Sequence, residues 1–322
     1  MISTKRRFLT IILLFFVLLS AIPIGSSAES SAADEWMKDV DGATRLSAMS
    51  IPGTHDSATE HVGLRYIFQC QDRGIAEQLE NGYRYLDIRL ALDGDTLILK
   101  HNFSKCRKSA SLFSKALSLD DVLSDAYAFL EAHPSETVIM CVKAEKGKDD
   151  VARLQTLLYD AISANESAWY LANRIPTLDE VRGKIVLATR FEDLLGLGEE
   201  KSGLHFYWED QGDRSILAVP HARSPINDSE ALFVQDRYNY AVQDKLDAIE
   251  HCLVNSQASE DSFFLNFCST SGSGKVGHPK KYAESINEYL RAYDWDSSCC
   301  YGVVIVDFAA RDIAELIYNT NF

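Results

Sequence analysis

The chain is 322 residues long and carries 47 Asp+Glu against 32 Lys+Arg, a formal charge of −15. A hydrophobic fraction of 46% with 10% aromatics excludes a disordered chain, and the length supports one large domain or two small ones. The acidity argues against nucleic acid as a partner, because phosphates repel such a surface, and against holding an anionic membrane by charge alone.

Lys5-Arg6-Arg7 precede an apolar run from Phe8 to about Ile24, and Ser26-Ser27-Ala28 follow. The basic, apolar, small-residue order predicts a secretory signal peptide over residues 1–28, leaving a mature chain 29–322 that works outside the cytoplasm. An uncleaved anchor is the alternative; Pro23 and Gly25 break the run just before an A-x-A-like end and disfavour it. Seven cysteines follow, Cys70, Cys106, Cys141, Cys252, Cys268, Cys299 and Cys300, and an odd number leaves at least one thiol unpaired. Cys141 and Cys268 sit in apolar runs and read as core fillers, whereas Cys70 and Cys106 fall on expected loops where they could pair. The spacings match no zinc site.

Past residue 40, β-rich runs alternate with helical patterns. Strands are expected at 46–51, 84–91, 96–101, 137–143, 184–190, 204–208, 263–268 and 302–308, several of them near-continuous Val/Ile/Leu runs of the kind buried on both faces. Helices are expected at 119–132, 150–164, 240–254, 281–293 and 311–318, with Asp or Ser at several starts as caps. About eight strands alternating with helices, and no dividing linker, predict an α/β fold: an irregular TIM (β/α)8 barrel in a single domain. A doubly wound open sheet is the alternative, but no G-x-G-x-x-G follows the first strand. Residues 269–277, rich in Ser and Gly, read as a mobile loop at the barrel mouth.

In a barrel, residues at the C-terminal strand ends face the active site. His55 and Asp56 follow the first strand; Asp87 and Arg89 are two apart and share a face of the second. His101 ends the third, and Asp307 follows the eighth. Alone, each has an ordinary structural role: a hydrogen-bonded histidine, a buried ion pair, a helix cap. Converging on one face, they form a chemical set. One imidazole takes a proton while a second gives one up, carboxylates orient the rings, and a guanidinium fork matches phosphate oxygens. No serine elbow and no His-x-x-x-His helix is present, so chemistry on a phosphodiester is the natural reading.

The octapeptide S-I-P-G-T-H-D-S at 50–57, Gln78-Leu79 to Leu86-Asp87-Ile88-Arg89, and Leu99-Lys100-His101 resemble the X domain of phosphatidylinositol-specific phospholipases C, closest to the secreted bacterial type. Segments 136–140, 182–187 and 234–238 are also similar. The resemblance implies a distorted TIM barrel that cleaves phosphatidylinositol; glycosylphosphatidylinositol (GPI) anchors share its headgroup, so the same residues could cleave both, and the choice between them stays open. The products would be diacylglycerol and inositol 1,2-cyclic phosphate. It implies His55 as base, held by Asp307; His101 as acid, supported by Asp56 and Asp87; and Arg89 on the phosphate. It assigns inositol binding to Lys143, Arg190, Asp236 and Tyr238. It implies no metal or other cofactor: where animal-type members carry a calcium-binding carboxylate, this chain has Arg89.

The same resemblance implies transient membrane contact through rim residues, for which Leu64, Tyr66, Ile67 and Phe68 are candidates; packing against the barrel is the competing expectation. Lys275, Lys280 and Lys281 are the local basic cluster, and no obligate protein partner is evident. The rival functions are another phosphodiesterase on the same barrel, such as a glycerophosphodiesterase, and a non-catalytic inositol- or glycan-binding protein.

Overall fold

A computed structural model describes residues 32–111, 113–145, 149–212, 222–274 and 276–322. The expected signal peptide 1–28 and Lys275 lie outside these. The strands are β1 (Ile51–Thr54), β2 (Tyr85–Asp93), β3 (Thr96–His101), β4 (Ser104–Lys105), β5 (Val138–Ala144), β6 (Trp169–Tyr170), β7 (Ile185–Thr189), β8 (Leu204–His205), β9 (Ala222–Pro225), β10 (Ala231–Gln235), β11 (Ser262–Phe267) and β12 (Val303–Val306). The helices are α1 (Arg65–Phe68), α2 (Ile75–Glu80), α3 (Leu119–Ala132), α4 (Val151–Ser163), α5 (Leu178–Val181), α6 (Val242–Asn255), α7 (Pro279–Ala292) and α8 (Arg311–Tyr318).

The sheet runs β6-β7-β5-β2-β1-β12-β11-β10-β9. From β6 to β10 every pair is parallel. Short β6 and β8 share the outer edge of β7, β6 beside its start and β8 beside its end. Antiparallel β9 occupies the outer edge of β10. Among the described residues no ladder joins β8 to β9 or β10, so the barrel stays open there; it is a distorted TIM barrel of one domain.

Side-chain alternation along the strands builds the two faces. Tyr85, Ile139, Cys141, Val186 and Ala188 join one buried cluster, while Leu86, Ile88, Met140, Val142, Ile185 and Leu187 pack on α3 and α4 in another. In the central strand β1, a Cβ on Gly53 would stand 3.0 Å from Tyr85 and 3.1 Å from Ile305, so only glycine lets β2 and β12 approach this closely. A stop is well placed on α3: Ser118 and Asp121 form a capping box at its start, and Pro134 follows its end. Fully buried Arg84 and Glu136 pair at 2.8 Å below the barrel, where Arg84 also donates to the carbonyls of Ala33 and Asp34.

Several expectations are corrected. Residues 46–48 form a 3-10 turn and the first strand begins at Ile51. The run 96–101 is no barrel strand: it returns antiparallel on β2, with Asp93 paired to Thr96 across Gly94-Asp95, Gly94 at φ 64°. Barrel strand β10, five residues between polar flanks, went unread. In 204–208 only Leu204–His205 pair, and the rest leaves the ladder. All seven cysteines are free; Cys70 and Cys106 are buried, not bridged. Cys141 and Cys268 are buried in the core as expected.

Candidate active site

The C-terminal strand ends surround a cavity of about 320 Å³. Register sets the height of its lining. Arg89 on β2 pairs with Lys143 on β5, Val142 pairs with Thr189 just before Arg190, and Thr54 pairs with Val306 just before Asp307. His101 arrives differently. Because β3 doubles back on β2, its last residue descends to the mouth beside the first turn, rather than ending a parallel strand.

His55, Arg89 and His101 meet here. The two imidazole centroids are 6.3 Å apart with the rings near-perpendicular. His55 Nδ1 lies 2.7 Å from Asp307 Oδ1, and Arg89 Nη2 lies 2.7 Å from His55 Nε2. A guanidinium only donates, so Nε2 accepts and the proton sits on Nδ1, bonded to Asp307. Arg89 Nε and Nη2 donate to Asp87 Oδ2 at 3.2 and 2.9 Å, and Nη1 faces Asp56 Oδ2 at 3.2 Å and Glu145 Oε2 at 3.7 Å. His101 Nδ1 is 2.8 Å from the Phe68 carbonyl and 3.0 Å from Asp56 Oδ2. A carbonyl only accepts, so this Nδ1 donates and Nε2 is the nitrogen left for the cavity.

Burial disfavours charge on His55 more than any other single influence, and Arg89 adds to it. Asp307 and Asp87 outweigh both and raise the pKa above the ordinary 6.5. Burial likewise lifts Asp56, with Arg89 and His101 pulling against it. For Asp87 burial loses: Arg89 beside it holds the carboxyl well below the usual carboxylate range. Burial, with Arg89 and Arg190 near, pushes Lys143 down to about 8.

The local sequence T-H-D-S explains the rigidity. Ser57 Oγ donates to the Thr54 carbonyl and accepts from Thr54 Oγ1 and the Asp87 N–H; the Asp56 N–H donates to Asp87 Oδ2. Three of the four non-glycine residues with positive φ among the described residues directly follow site residues: Asp56 (44°) after His55, Asn102 (55°) after His101, Phe308 (51°) after Asp307. Such left-handed backbone costs about 1–3 kcal/mol and persists where the surroundings hold it.

Every site residue expected from the sequence lines the cavity or backs it. Asp87 is the one that supports a different partner: its carboxylate holds Arg89, and the ion pair to His101 comes from Asp56. Asp307 holds His55 and is not a helix cap, the N-cap of α8 being Ala310. Arg190 lies over the Trp208 ring, 3.5 Å to its centroid, and Trp208 Nε1 donates to Asp236 Oδ2 at 3.0 Å. Tyr238 donates its hydroxyl to Asp210, 2.8 Å. The loop after β11 is fastened at its start, Thr270 Oγ1 donating to the Tyr240 carbonyl at 2.7 Å and the Ser271 N–H to that of Tyr238 at 2.7 Å.

Sequence reasoning passed over Glu145, Trp208, Asp210, Cys70 and Gln71. Glu145 had a signal, lying two residues past Lys143 on the same face. Gln71 had none. Fully buried, it donates to the carbonyls of His55 (2.8 Å) and Val306 (3.0 Å) and accepts from the Ala309 N–H (3.0 Å), tying the His55 turn to the segment that carries Asp307. Two donor sets of metal-ligating type fall at this site, His55–Cys70–Asp307 and Asp56–Cys70–His101.

At the rim, Leu64 (63%) and Tyr66 (70%) are exposed, whereas Phe68 (7%) is buried against His101 and Phe103. Phe68 is therefore a wall of the site and not a membrane-facing residue, because its ring fills the space beside the imidazole. Ile67 is half-buried on the cavity edge, and Lys280 and Lys281 begin α7.

Residues 49–191 match the family described as phosphatidylinositol-specific phospholipase C, X domain. The chain is 27% identical over 345 residues to a 1-phosphatidylinositol phosphodiesterase of Listeria monocytogenes, covering 98% of each. A protein of the same description from Staphylococcus aureus is 27% identical over 349 residues, again covering 98% of each. Among solved structures, the phosphatidylinositol-specific phospholipase C from Listeria monocytogenes superposes with a TM-score of 0.70 at 26% identity, covering 90% of this chain and 99% of that one. A variant of the Staphylococcus aureus enzyme gives 0.71 at 25% identity, covering 89% and 97%. The chain is similar over nearly its whole length to bacterial phosphatidylinositol-specific phospholipases C, matches their X domain at 49–191, and is a phosphodiesterase built on a distorted TIM barrel.

Proposed function

We propose that the enzyme cleaves phosphatidylinositol between phosphorus and the diacylglycerol oxygen, releasing diacylglycerol and inositol 1,2-cyclic phosphate. The observation that carries this reading is the meeting of two imidazoles and one guanidinium in a single cavity, 6.3 Å between the rings, with Arg89 against His55. On substrate entry the phosphate draws Arg89 Nη2 away and frees His55 Nε2. That nitrogen takes the proton of the inositol 2-hydroxyl, whose oxygen bonds to the adjacent phosphorus. The cis hydroxyl is already tethered near its target, which makes internal attack faster than attack by water. Arg89, oriented by Asp87, offsets charge on the phosphate oxygens as it develops. The bond to the glycerol oxygen breaks, and protonated His101, its charge balanced by Asp56, gives that oxygen a proton from Nε2.

Lys143, Arg190, Asp236 and Tyr238 would hold the inositol ring, with the Trp208 face and Glu145 completing the wall. GPI anchors present the same inositol phosphate, so the proposal extends to them. Calcium independence is part of it: Arg89 already stands among Asp56, Asp87 and Glu145, and a dication beside it would be repelled. Export is part of it too, supported by the order of residues 1–28.

Phosphorus NMR of a phosphatidylinositol digest, with and without chelator, tests the whole, using enzyme recovered from culture supernatant as a chain beginning near Glu29. The cyclic phosphate should appear first and the chelator should change nothing. Inositol 1-phosphate from the outset, or activity lost to chelator and restored by calcium, would overturn the reading.

A further inference from the structure

Behind His101 lies a cluster that this chemistry does not use. The Cys70 thiol is 1% exposed, yet it borders the catalytic cavity, and its Sγ stands 3.7 Å from His101 Nδ1. Around the same Nδ1 are the Phe68 carbonyl at 2.8 Å and Asp56 Oδ2 at 3.0 Å; Cys70 Sγ is 3.8 Å from that carbonyl. A tetrahedral ion with bonds of about 2.0–2.3 Å needs ligand atoms about 3.3–3.8 Å apart. Sγ already meets the ring nitrogen and the carbonyl at that spacing, the two oxygens stand somewhat closer to Nδ1 and would have to draw back, and the donor atoms of Asp56, Cys70 and His101 all lie within 4.8 Å of one another. Buried Asp56 Oδ2 accepts no hydrogen bond and is held by ion pairs alone, the second being Arg89 Nη1 at 3.2 Å.

We propose that Cys70, His101, Asp56 and the Phe68 carbonyl form an inhibitory site for a thiophilic divalent cation of the zinc and cadmium type. The donor set is sulfur, nitrogen and two oxygens, which selects such ions over calcium and magnesium. Arg89 repels any dication here. A thiophilic ion displaces the Cys70 proton, and the new thiolate offsets that repulsion, as oxygen donors alone do not. Binding to charged His101 sends two protons to solvent, one from Sγ and one from Nδ1, and forms metal–sulfur and metal–nitrogen bonds. The Nε2–H then belongs to a neutral, metal-bound ring, a far weaker acid than an imidazolium. Loss of activity rests on the proposed acid role of His101; the binding does not, and the two are read separately.

The test titrates the whole enzyme with zinc chloride in a non-chelating buffer, following heat and phosphatidylinositol cleavage in parallel. Cobalt(II) is used as a spectroscopic probe. The expected result is one zinc per chain, activity lowered about tenfold or more and restored by EDTA. Cobalt should give a near-ultraviolet thiolate band, and calcium and magnesium should do nothing. Cys70→Ser should keep its activity, lose the band and need about tenfold or more zinc, whereas Cys299→Ser, which removes the exposed thiol, should behave as the parent. If Cys70→Ser fails to fold, the cobalt band in the Cys299→Ser enzyme decides. Absence of that band, or unchanged zinc sensitivity in folded Cys70→Ser, would overturn the proposal. Cys70-dependent binding with full activity would uphold the site and overturn the acid role of His101.

Discussion

At the scale of single residues, the proton on His55 is set by a competition. Arg89 against Nε2 and burial favour the neutral ring, while Asp307 and Asp87 favour the charged one and prevail, raising its pKa above 6.5. A base must be neutral to act, so kcat/KM should fall as pH drops through that raised value. In Asp307→Asn the main raising influence is gone, so the acid limb should move to lower pH and kcat should fall about tenfold or more. A pH profile of the free enzyme checks both; an unmoved limb would remove His55 as its origin. The sign for stability is opposite. A raised folded pKa means that the pair stabilises the fold fully below about 6.5 and loses that contribution as pH rises through the folded value.

At the scale of elements, the site is a product of how strand ends are tied together. β1 and β12 deliver His55 and Asp307 side by side, and Gln71 clamps both segments from the chain between α1 and α2. In Gln71→Leu the His55 carbonyl and the Ala309 N–H lose their partner, about 1–3 kcal/mol for each group left unpaired, while the Val306 carbonyl keeps the His55 N–H. The melting temperature should fall, and kcat should drop about tenfold or more with KM for phosphatidylinositol little changed, because the clamp touches the base and not the ring-binding wall. Gln71→Glu, which keeps the acceptor for Ala309 but sets a buried carboxylate oxygen against the His55 and Val306 carbonyls, should lose at least as much stability as Gln71→Leu. A rise in KM alone would deny the clamp its role. Hairpin β2–β3 acts in the same way for His101: the turn at Gly94 fixes its register and hence the height of the imidazole.

At the scale of the whole molecule, a chain of net charge −15 has to meet a lipid. What it offers near the cavity is apolar: Leu64, Tyr66 and Phe103 are exposed, Tyr66 packed at its ring on His278 and Phe103 on Phe68. Burying one such side chain yields about 1.5–3 kcal/mol. Leu64→Ser with Tyr66→Ser should therefore weaken partitioning onto phosphatidylcholine vesicles about tenfold or more, and added salt should not weaken the parent. Co-sedimentation measures both; unchanged partitioning in the double variant would discard the rim.

Alternation alone made the helices at 119–132 and 311–318 and most barrel strands legible. Side-chain parity put Arg89, Lys143 and Arg190 on the inner face, because a strand buried on both sides repeats every two residues whatever lies around it. The T-H-D-S turn and Asp-x-Arg were readable for the same reason: their partners are a few residues away. Tertiary structure alone decided the rest. That β3 turns back, that Asp87 holds Arg89 instead of His101, that Phe68 is a wall, and that Gln71 and Cys70 stand against the site all depend on which distant strands pair and in what register. Those choices minimise the energy of the packed barrel as a whole and leave no periodic trace in the segment that carries each residue.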